Sequence, residues 1–378
     1  MVRLPPELLG EVFRHLKVVA KSRLDLVSAS LVCTAWFSEA RPLVSPDALK
    51  SLSLPNCRHG RHQVERLWRL SSLLTESLRH GLDYCDLVRE IRVTLPFIED
   101  QAQSGAEAIR SIVNLSPPNL RQVTVNVLNS GRFLPQLTEL IEHMCAGHTP
   151  TTLNIRSALS LHSHEALQEV SLRILEHFEP FVREIHLRGV QLDDRIHLVL
   201  TRCRLVERLA VERYPARLHP AVPDALPRLA DALPELTSLT FRLGGGDDRV
   251  SSGSLRHLVV RCPRLRELRI RCDGSIDDEC LKFVAREGRT LVELELEDCA
   301  GVVGKGEEWV EEDVAWRGLR RLRIVGASDV APSFVERVLA VCSELEYLKV
   351  PEYEVLEDKM VEFGFEKGKD LAWHRTVW

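Results

Sequence analysis

The feature that most constrains this chain is a six-residue pattern, L-x-x-L-x-L, that returns at a nearly constant interval. LRELRI at 265–270, LVELEL at 291–296, LRRLRI at 319–324 and LEYLKV at 345–350 share it, and their central leucines, Leu268, Leu294, Leu322 and Leu348, stand 26, 28 and 26 residues apart. Alternating apolar and polar residues over six positions is the period of a half-buried strand. A fixed return interval of this size is the mark of a repeat architecture, in which each unit packs on its neighbours.

The pattern continues upstream in looser form: LKSLSL at 49, VREIRV at 88, LRQVTV at 120, PTTLNI at 150, VREIHL at 182, VERLAV at 206 and LTSLTF at 236, making eleven strands. The early spacings are irregular, reaching 39 residues between the first two. Between strands lie helical patterns such as DDECLKFVAREG at 277–288 and PSFVERVLAVC at 332–342. Asp193 and Asp277 are placed to begin helices, and Pro332 suits a first helical turn. Strand, turn, helix and strand again predicts an α/β solenoid, with parallel strands on a concave face and helices on a convex one.

These residues resemble the leucine-rich-repeat family, in particular its cysteine-containing type, over residues 45–350. Cys203, Cys262 and Cys342 each stand three residues before a repeat's first apolar position, and Cys57 and Cys299 three after its last. That register predicts small buried hydrophobes rather than metal ligands, and the sequence holds no C-x-x-C pair. All ten cysteines are expected to be reduced. Residues 351–378, with Phe363, Phe365, Trp373 and Trp378, are expected to cap the last repeat.

The N-terminus has a different character. LPPELLGEVFRHL at 4–16 opens with Pro5 and Pro6, which fit a helix start, and carries Leu8, Leu9, Val12, Phe13 and Leu16 on one face. In DLVSASLVCTAW at 25–36, Leu26, Ala29, Val32, Cys33 and Trp36 form a second stripe, and a third short helix should end before Pro42. Three helices in so few residues cannot bury their own apolar faces, so a partner or flanking domain must cover them.

LPPELL, LVCTAW and Ala40-Arg41-Pro42-Leu43 resemble the F-box, over residues 1–44. The resemblance implies docking on the Skp-type adaptor of SCF ubiquitin ligases and, through it, a cullin. Carried over by position, Leu4, Pro5, Leu8, Leu9, Phe13, Leu16, Val32, Cys33 and Trp36 would form or support that interface. KVVAKSRL at 17–24 departs from the family's usual turn, which bears on the loop more than on the interface.

Composition excludes several other classes. Net charge is −5, with arginine and glutamate interleaved instead of segregated, so no general nucleic-acid or membrane surface is expected. No run of about 18 apolar residues is present, and the N-terminus does not look like a secretion signal. A soluble protein of the cytoplasm or nucleus is expected. No lysine occurs between Lys50 and Lys282. Arginine-biased coding accounts for that, as would a ligase component that avoids modifying itself.

Fragments that imitate enzyme motifs each lack a required residue. HEALQ at 164–168 has Gln168 where a zinc helix needs its second histidine, and CAGVVGKG at 299–306 has Cys299 and Gly306 at two essential positions of a phosphate loop. GGGDDR at 244–249 is a solvated turn. His59 with His62, and His162 with His164, lack a third ligand nearby. No catalytic residue, metal or cofactor is expected.

Recognition should therefore fall to the polar positions between the leucines, which share one face of the sheet. The candidates are Arg266, Arg269, Glu293, Glu295, Arg320, Arg321, Arg323, Tyr347 and Lys349, together with Glu267. The arginines suit an acidic or phosphorylated segment, but neighbouring strands would also let them pair with the glutamates, which needs no ligand. The expected function is a non-catalytic substrate receptor of an SCF-type ligase, binding an unidentified protein. The rivals are an adaptor-bound scaffold outside ubiquitination and an enzyme with a site built from scattered residues.

Overall fold

The structure is a computed structural model. It describes residues 51–53, 60–79, 90–95, most of 104–115, 120–128, 151–158, 164–190, 192–212, 225–242, 250–271, 276–297, 301–302, 316–326, 330–350, 357–368 and 372–375. The chain forms two compact units, Met1–Asn154 and Ile155–Trp378.

In the first unit, β1 (Ser51–Ser53), β2 (Glu90–Leu95) and β3 (Gln122–Leu128) are parallel. Helix α1 (Gly60–Arg79) follows β1 and buries Leu67, Leu70 and Leu74, one face at helical spacing. Ser71 lies on the same buried face, and its hydroxyl meets that of Ser111 at 2.6 Å. Strand β4 (Thr152–Ala158) spans the boundary between the units.

The second unit repeats one motif. Its strands are β5 (Glu184–Arg188), β6 (Arg208–Glu212), β7 (Ser238–Arg242), β8 (Glu267–Arg271), β9 (Glu293–Glu297), β10 (Arg321–Val325) and β11 (Tyr347–Lys349), each parallel to its neighbours. The pairing brings Ile185, Leu209, Leu239, Leu268, Leu294, Leu322 and Leu348 side by side. Every strand centre predicted from the sequence falls inside an observed strand. The fold is α/β, parallel strands alternating with helices.

The helices are α2 (His164–Phe178), α3 (Asp194–Leu200), α4 (Ala225–Ala232), α5 (Ser252–Arg261), α6 (Asp278–Glu287) and α7 (Pro332–Val341). Their inward faces repeat with the 3, 4, 7 spacing of an amphipathic helix: Ile196, Val199, Leu200 and Cys203 in one unit, Leu255, Leu258, Val259 and Cys262 in another, Val335, Val338, Leu339 and Cys342 in the last. Asp193 and Asp277 cap α3 and α6 by accepting from the N–H of Ile196 and Cys280, both at 2.8 Å, and Pro332 opens α7. Burial of one such leucine is worth about 2 kcal/mol, so the stacked rows hold each repeat to the next.

The position three residues before the motif, held by Cys203, Cys262 and Cys342 in three of the repeats, closes the turn from helix to strand. Its carbonyl accepts from the N–H of the motif's first residue: Cys203 from Val206, Leu233 from Leu236, Cys262 from Leu265, Gly288 from Leu291, Trp316 from Leu319 and Cys342 from Leu345. Cys203, Cys262, Cys280 and Cys342 are buried free thiols; Cys57 and Cys299 lie outside the described residues. Next to this turn, one carbonyl per repeat takes two N–H groups from the following repeat, as Arg266 does from Val292 and Glu293.

The C-terminal segment contributes α8 (Glu357–Glu362), β12 (Phe365–Lys367) and β13 (Trp373–Arg375). Strand β13 runs antiparallel along β11 and β12, which gives the backbone of β11 a partner on the side where the parallel array stops.

Candidate functional site

Successive residues of a strand point to opposite sides, so the outward residues of β5–β11 form two rows across all seven strands, on the face away from the helices. The first row runs Glu184, Arg208, Ser238, Glu267, Glu293, Arg321 and Tyr347; the second His186, Ala210, Thr240, Arg269, Glu295, Arg323 and Lys349. The predicted candidates Arg269, Arg321, Arg323, Glu293, Glu295, Tyr347 and Lys349 lie in these rows. Arg266 and Arg320 stand one residue before their strands, outside the rows. Arg320 there reaches Glu344 at 3.3 Å and Glu346 at 3.8 Å.

Glu295 is the centre of the charged patch, only 7% exposed. Its carboxylate accepts from Arg242 at 2.9 Å and from Arg323, and lies 3.7 Å from Arg269. Arg269 also binds Glu293 at 3.1 Å, and Glu297 takes Arg323 at 2.8 Å and Arg242 at 3.4 Å. Three guanidinium groups therefore face three carboxylates, and the patch neutralises itself. Beside it the Arg321 guanidinium lies 5.0 Å from the centre of the Tyr347 ring, which also packs edge-on with His374.

Such pairing continues between helices: Arg195 with Glu169 at 2.7 Å, Arg228 with Asp194 at 2.6 Å, and Arg261 with Asp231 at 2.8 Å. Arg195, together with Arg173 at 3.0 Å, holds the Glu169 carboxyl below the usual range. The interleaving of charge seen in the sequence is thus, in large part, a ladder between neighbouring repeats.

One feature has no counterpart among the sequence candidates. A groove of about 810 Å3 opens between α3 and α4, lined by Asp194, His197, Leu198, Arg204, Arg228 and Glu235 among others. His197 is 2% exposed, yet neither ring nitrogen has a hydrogen-bond partner. Burial, then the nearby Arg228, push its pKa down to about 4. In the sequence it is one polar residue inside a helical apolar pattern, and only its buried, unpartnered state sets it apart. Among the described residues, no three histidine, cysteine or acidic side chains are grouped to hold a metal ion. No described helix is long and apolar enough to cross a membrane.

Residues 1–50, including Leu4, Pro5, Leu8, Leu9, Phe13, Leu16, Val32, Cys33 and Trp36, lie outside the described residues, so their assignment rests on sequence comparison. Residues 1–40 match the F-box domain. The match covers the LP and LVCTAW segments and stops just short of Arg41 and Pro42. A comparison of the chain with curated proteins finds no match. Among solved structures, the chain is similar to one described as the Rad7 and Elc1 complex in yeast, at 14% identity over 74% of this chain and 68% of that one, with a TM-score of 0.48. It is also similar to the leucine-rich repeat-containing protein LegL7 from Legionella pneumophila, at 14% identity over 67% of this chain and 91% of that one, with a TM-score of 0.34. The repeat architecture that follows the F-box stands on its own strand register and needs neither likeness.

Proposed function

We propose that this chain is the substrate-recognition subunit of an SCF-type ubiquitin ligase, resident in the cytoplasm or nucleus. The F-box, taken as residues 1–44, binds a Skp-type adaptor and through it a cullin. The repeats, taken as 45–350 with 351–378 as their cap, hold a protein substrate. The observation that carries this reading is the F-box match at residues 1–40 on a chain whose remainder includes a parallel array with two rows of mostly polar residues. The chain contributes no chemistry and no cofactor; it raises the local concentration of one protein beside an activated ubiquitin. At the adaptor interface, Leu4, Pro5, Leu8, Leu9, Phe13, Leu16, Val32, Cys33 and Trp36 supply the apolar contact. On the repeats, the self-paired patch around Glu295 favours a substrate of mixed charge over a strongly phosphorylated one, with Arg321, Tyr347 and Lys349 at its margin.

The test is co-purification of the full chain with the adaptor and cullin from cells. Wild type is expected to bring down both, and the double variant Leu4→Asp, Trp36→Ala neither, while its thermal melting of the repeats is unchanged. Equal recovery by the variant would overturn the reading. Adaptor without cullin would support the scaffold alternative instead.

A further inference from the structure

Charge pairing between neighbouring repeats recurs along the second unit, and one boundary breaks it. At the entrance to each strand, one carbonyl takes two N–H groups of the next repeat, which sets Arg183 beside Glu207, Arg266 beside Val292 and Arg320 beside Glu346. Arg183 binds Glu207 at 2.6 Å, and Arg320 reaches Glu346 at 3.8 Å. Arg266 meets a half-exposed valine instead. Among the described residues it has no carboxylate within ion-pair distance.

The helix side fails at the same boundary. Asp231, two residues before the turn at Leu233, holds Arg261 of the next helix at 2.8 Å. Val260 stands at the same place before the turn at Cys262, and it is 58% exposed. Around it, Arg286 takes its chain neighbour Glu287 at 2.9 Å, while Arg256 and Arg289 have no carboxylate within ion-pair distance among the described residues. The acidic groups nearby are already engaged: Asp231 by Arg261 and His257, Glu235 by Arg264, and Glu293 by Arg269.

These residues touch one another in sequence. Arg256 and Arg286 lie 5.3 Å and 5.5 Å from the centre of the Phe283 ring. Nε of Arg289 donates to the Arg286 carbonyl at 3.4 Å, and the adjoining Thr290 hydroxyl reaches the carbonyls of Pro263 and Leu265 at 3.0 and 2.8 Å. Arg266 and Val292 follow at the strand entrance. The strip bends from α5 round the turn to β8, about 20 Å along the chain path from Arg256 to Arg266. A lone exposed arginine is ordinary. Two series of ion pairs that fail at one boundary, each with a valine where a carboxylate stands elsewhere, leave three guanidinium groups to be matched from outside.

We infer that this strip docks an extended acidic segment of a partner protein, whose carboxylates take the place that Glu207 and Glu346 hold at other boundaries and whose apolar side chains lie on Val260 and Val292. The guanidinium fork suits a carboxylate because it binds one through two parallel hydrogen bonds. An extended segment of about six residues spans the strip and follows its bend, whereas a flat partner would meet the helix side or the strand entrance but not both. Carboxylates are favoured over a nucleic-acid backbone because the valines add nothing to phosphate binding and the ion pairs on either side of the strip are already made. The strip lies outside the two polar rows and is independent of the adaptor reading.

The experiment uses the purified full-length chain and fluorescence anisotropy with labelled octapeptides, in which glutamates are separated by one, two or three residues of valine and serine. At least one spacing is expected to bind saturably, and its glutamine counterpart about tenfold more weakly. Arg266→Ala and Arg289→Ala should each weaken binding several-fold. The deciding variant is Val292→Glu, which gives Arg266 the carboxylate that Arg183 and Arg320 already have. It should melt no lower than wild type and bind the peptide about tenfold more weakly. Val260→Asp repeats the test on the helix side, and Arg228→Ala, at an intact ion pair, should change nothing. The inference is overturned if no acidic peptide binds, if glutamine peptides bind equally well, or if both valine variants bind like wild type. It is overturned also if a short DNA duplex binds as tightly as the peptide and loses its affinity in Val292→Glu, since the strip would then serve phosphates.

Discussion

Arg242 on β7 donates to Glu295 on β9 over 2.9 Å, bridging a strand that lies between them. Strands are about 4.8 Å apart, so the long guanidinium side chain crosses two strand spacings to reach a buried carboxylate. Arg323 approaches the same carboxylate from the strand on the other side. The cost of holding this carboxylate with so little solvent is offset by the guanidinium groups around it.

Removing that charge should therefore do two things. Glu295→Gln is expected to lower stability by about 1–2 kcal/mol, a loss of charge-assisted hydrogen bonds tempered by the partial exposure of the arginines. It should also release guanidinium groups and raise the affinity of a phosphoserine peptide several-fold. Urea unfolding and fluorescence anisotropy check the two halves, and an unchanged peptide affinity would mean that the arginines are accessible in the wild type.

Gly288 occupies the position that Cys262 and Cys342 hold in other repeats, but for a local reason. A Cβ there would lie 2.6 Å from the Val284 carbonyl oxygen and 2.7 Å from a Leu291 methyl. Gly288→Ala is expected to cost about 1–3 kcal/mol through overpacking. Gly318→Ala meets nothing within 4 Å, and should be neutral or stabilising by up to about 1 kcal/mol. Paired urea melts check the contrast.

The thiols of Cys203, Cys262 and Cys342 are pushed up to about 12, chiefly by burial. At pH 8 the native protein should leave all three unmodified by maleimide over minutes, whereas urea-unfolded protein should react at each. Peptide mass mapping reads this directly. Because their folded pKa exceeds the unfolded value near 9, their contribution to stability is intact below pH 9 and falls as pH climbs towards 12.

His197 makes the opposite prediction. Its folded pKa of about 4 lies below the ordinary 6.5, so between those values the unfolded chain takes a proton that the folded one refuses. Stability from this residue is present above pH 6.5 and falls by roughly 2–3 kcal/mol as pH drops to about 4. Asp193 and Asp194 oppose the shift and Arg228 aids it. His197→Phe should flatten the pH dependence in that window, measured by denaturant midpoints at half-unit steps.

Asp277 accepts from the N–H of Cys280 at 2.8 Å and from the Ser252 hydroxyl of the previous repeat at 3.2 Å. Asp277→Ala is expected to cost about 1 kcal/mol as a lost helix cap. Asp277→Asn should retain most of that stability, because asparagine caps as well, and chemical denaturation separates the two.

Strand centres, helix starts and the buried cysteine register were legible because each depends on local rules: period two for a strand, 3.6 for a helix, an aspartate at an N-cap, and a small apolar side chain at a tight turn. Leu268, Asp277 and Cys262 obey them within a few residues of chain. Arg266 and Arg269 look alike in LRELRI, yet only the second reaches the carboxylates, since the first precedes the strand. Trp316 stands at the offset that Cys203, Cys262 and Cys342 hold in their repeats and makes the same turn hydrogen bond, so the turn does not depend on a small side chain.

By itself, then, the sequence determined the repeat, its parallel α/β character, and the F-box match at its start, all of which rest on patterns carried by consecutive residues. Tertiary structure decided which charges neutralise one another around Glu295 and left His197 buried without a partner. Those outcomes depend on side chains brought together from different repeats, across distances that no local pattern encodes, and on how much water the stacked layers exclude.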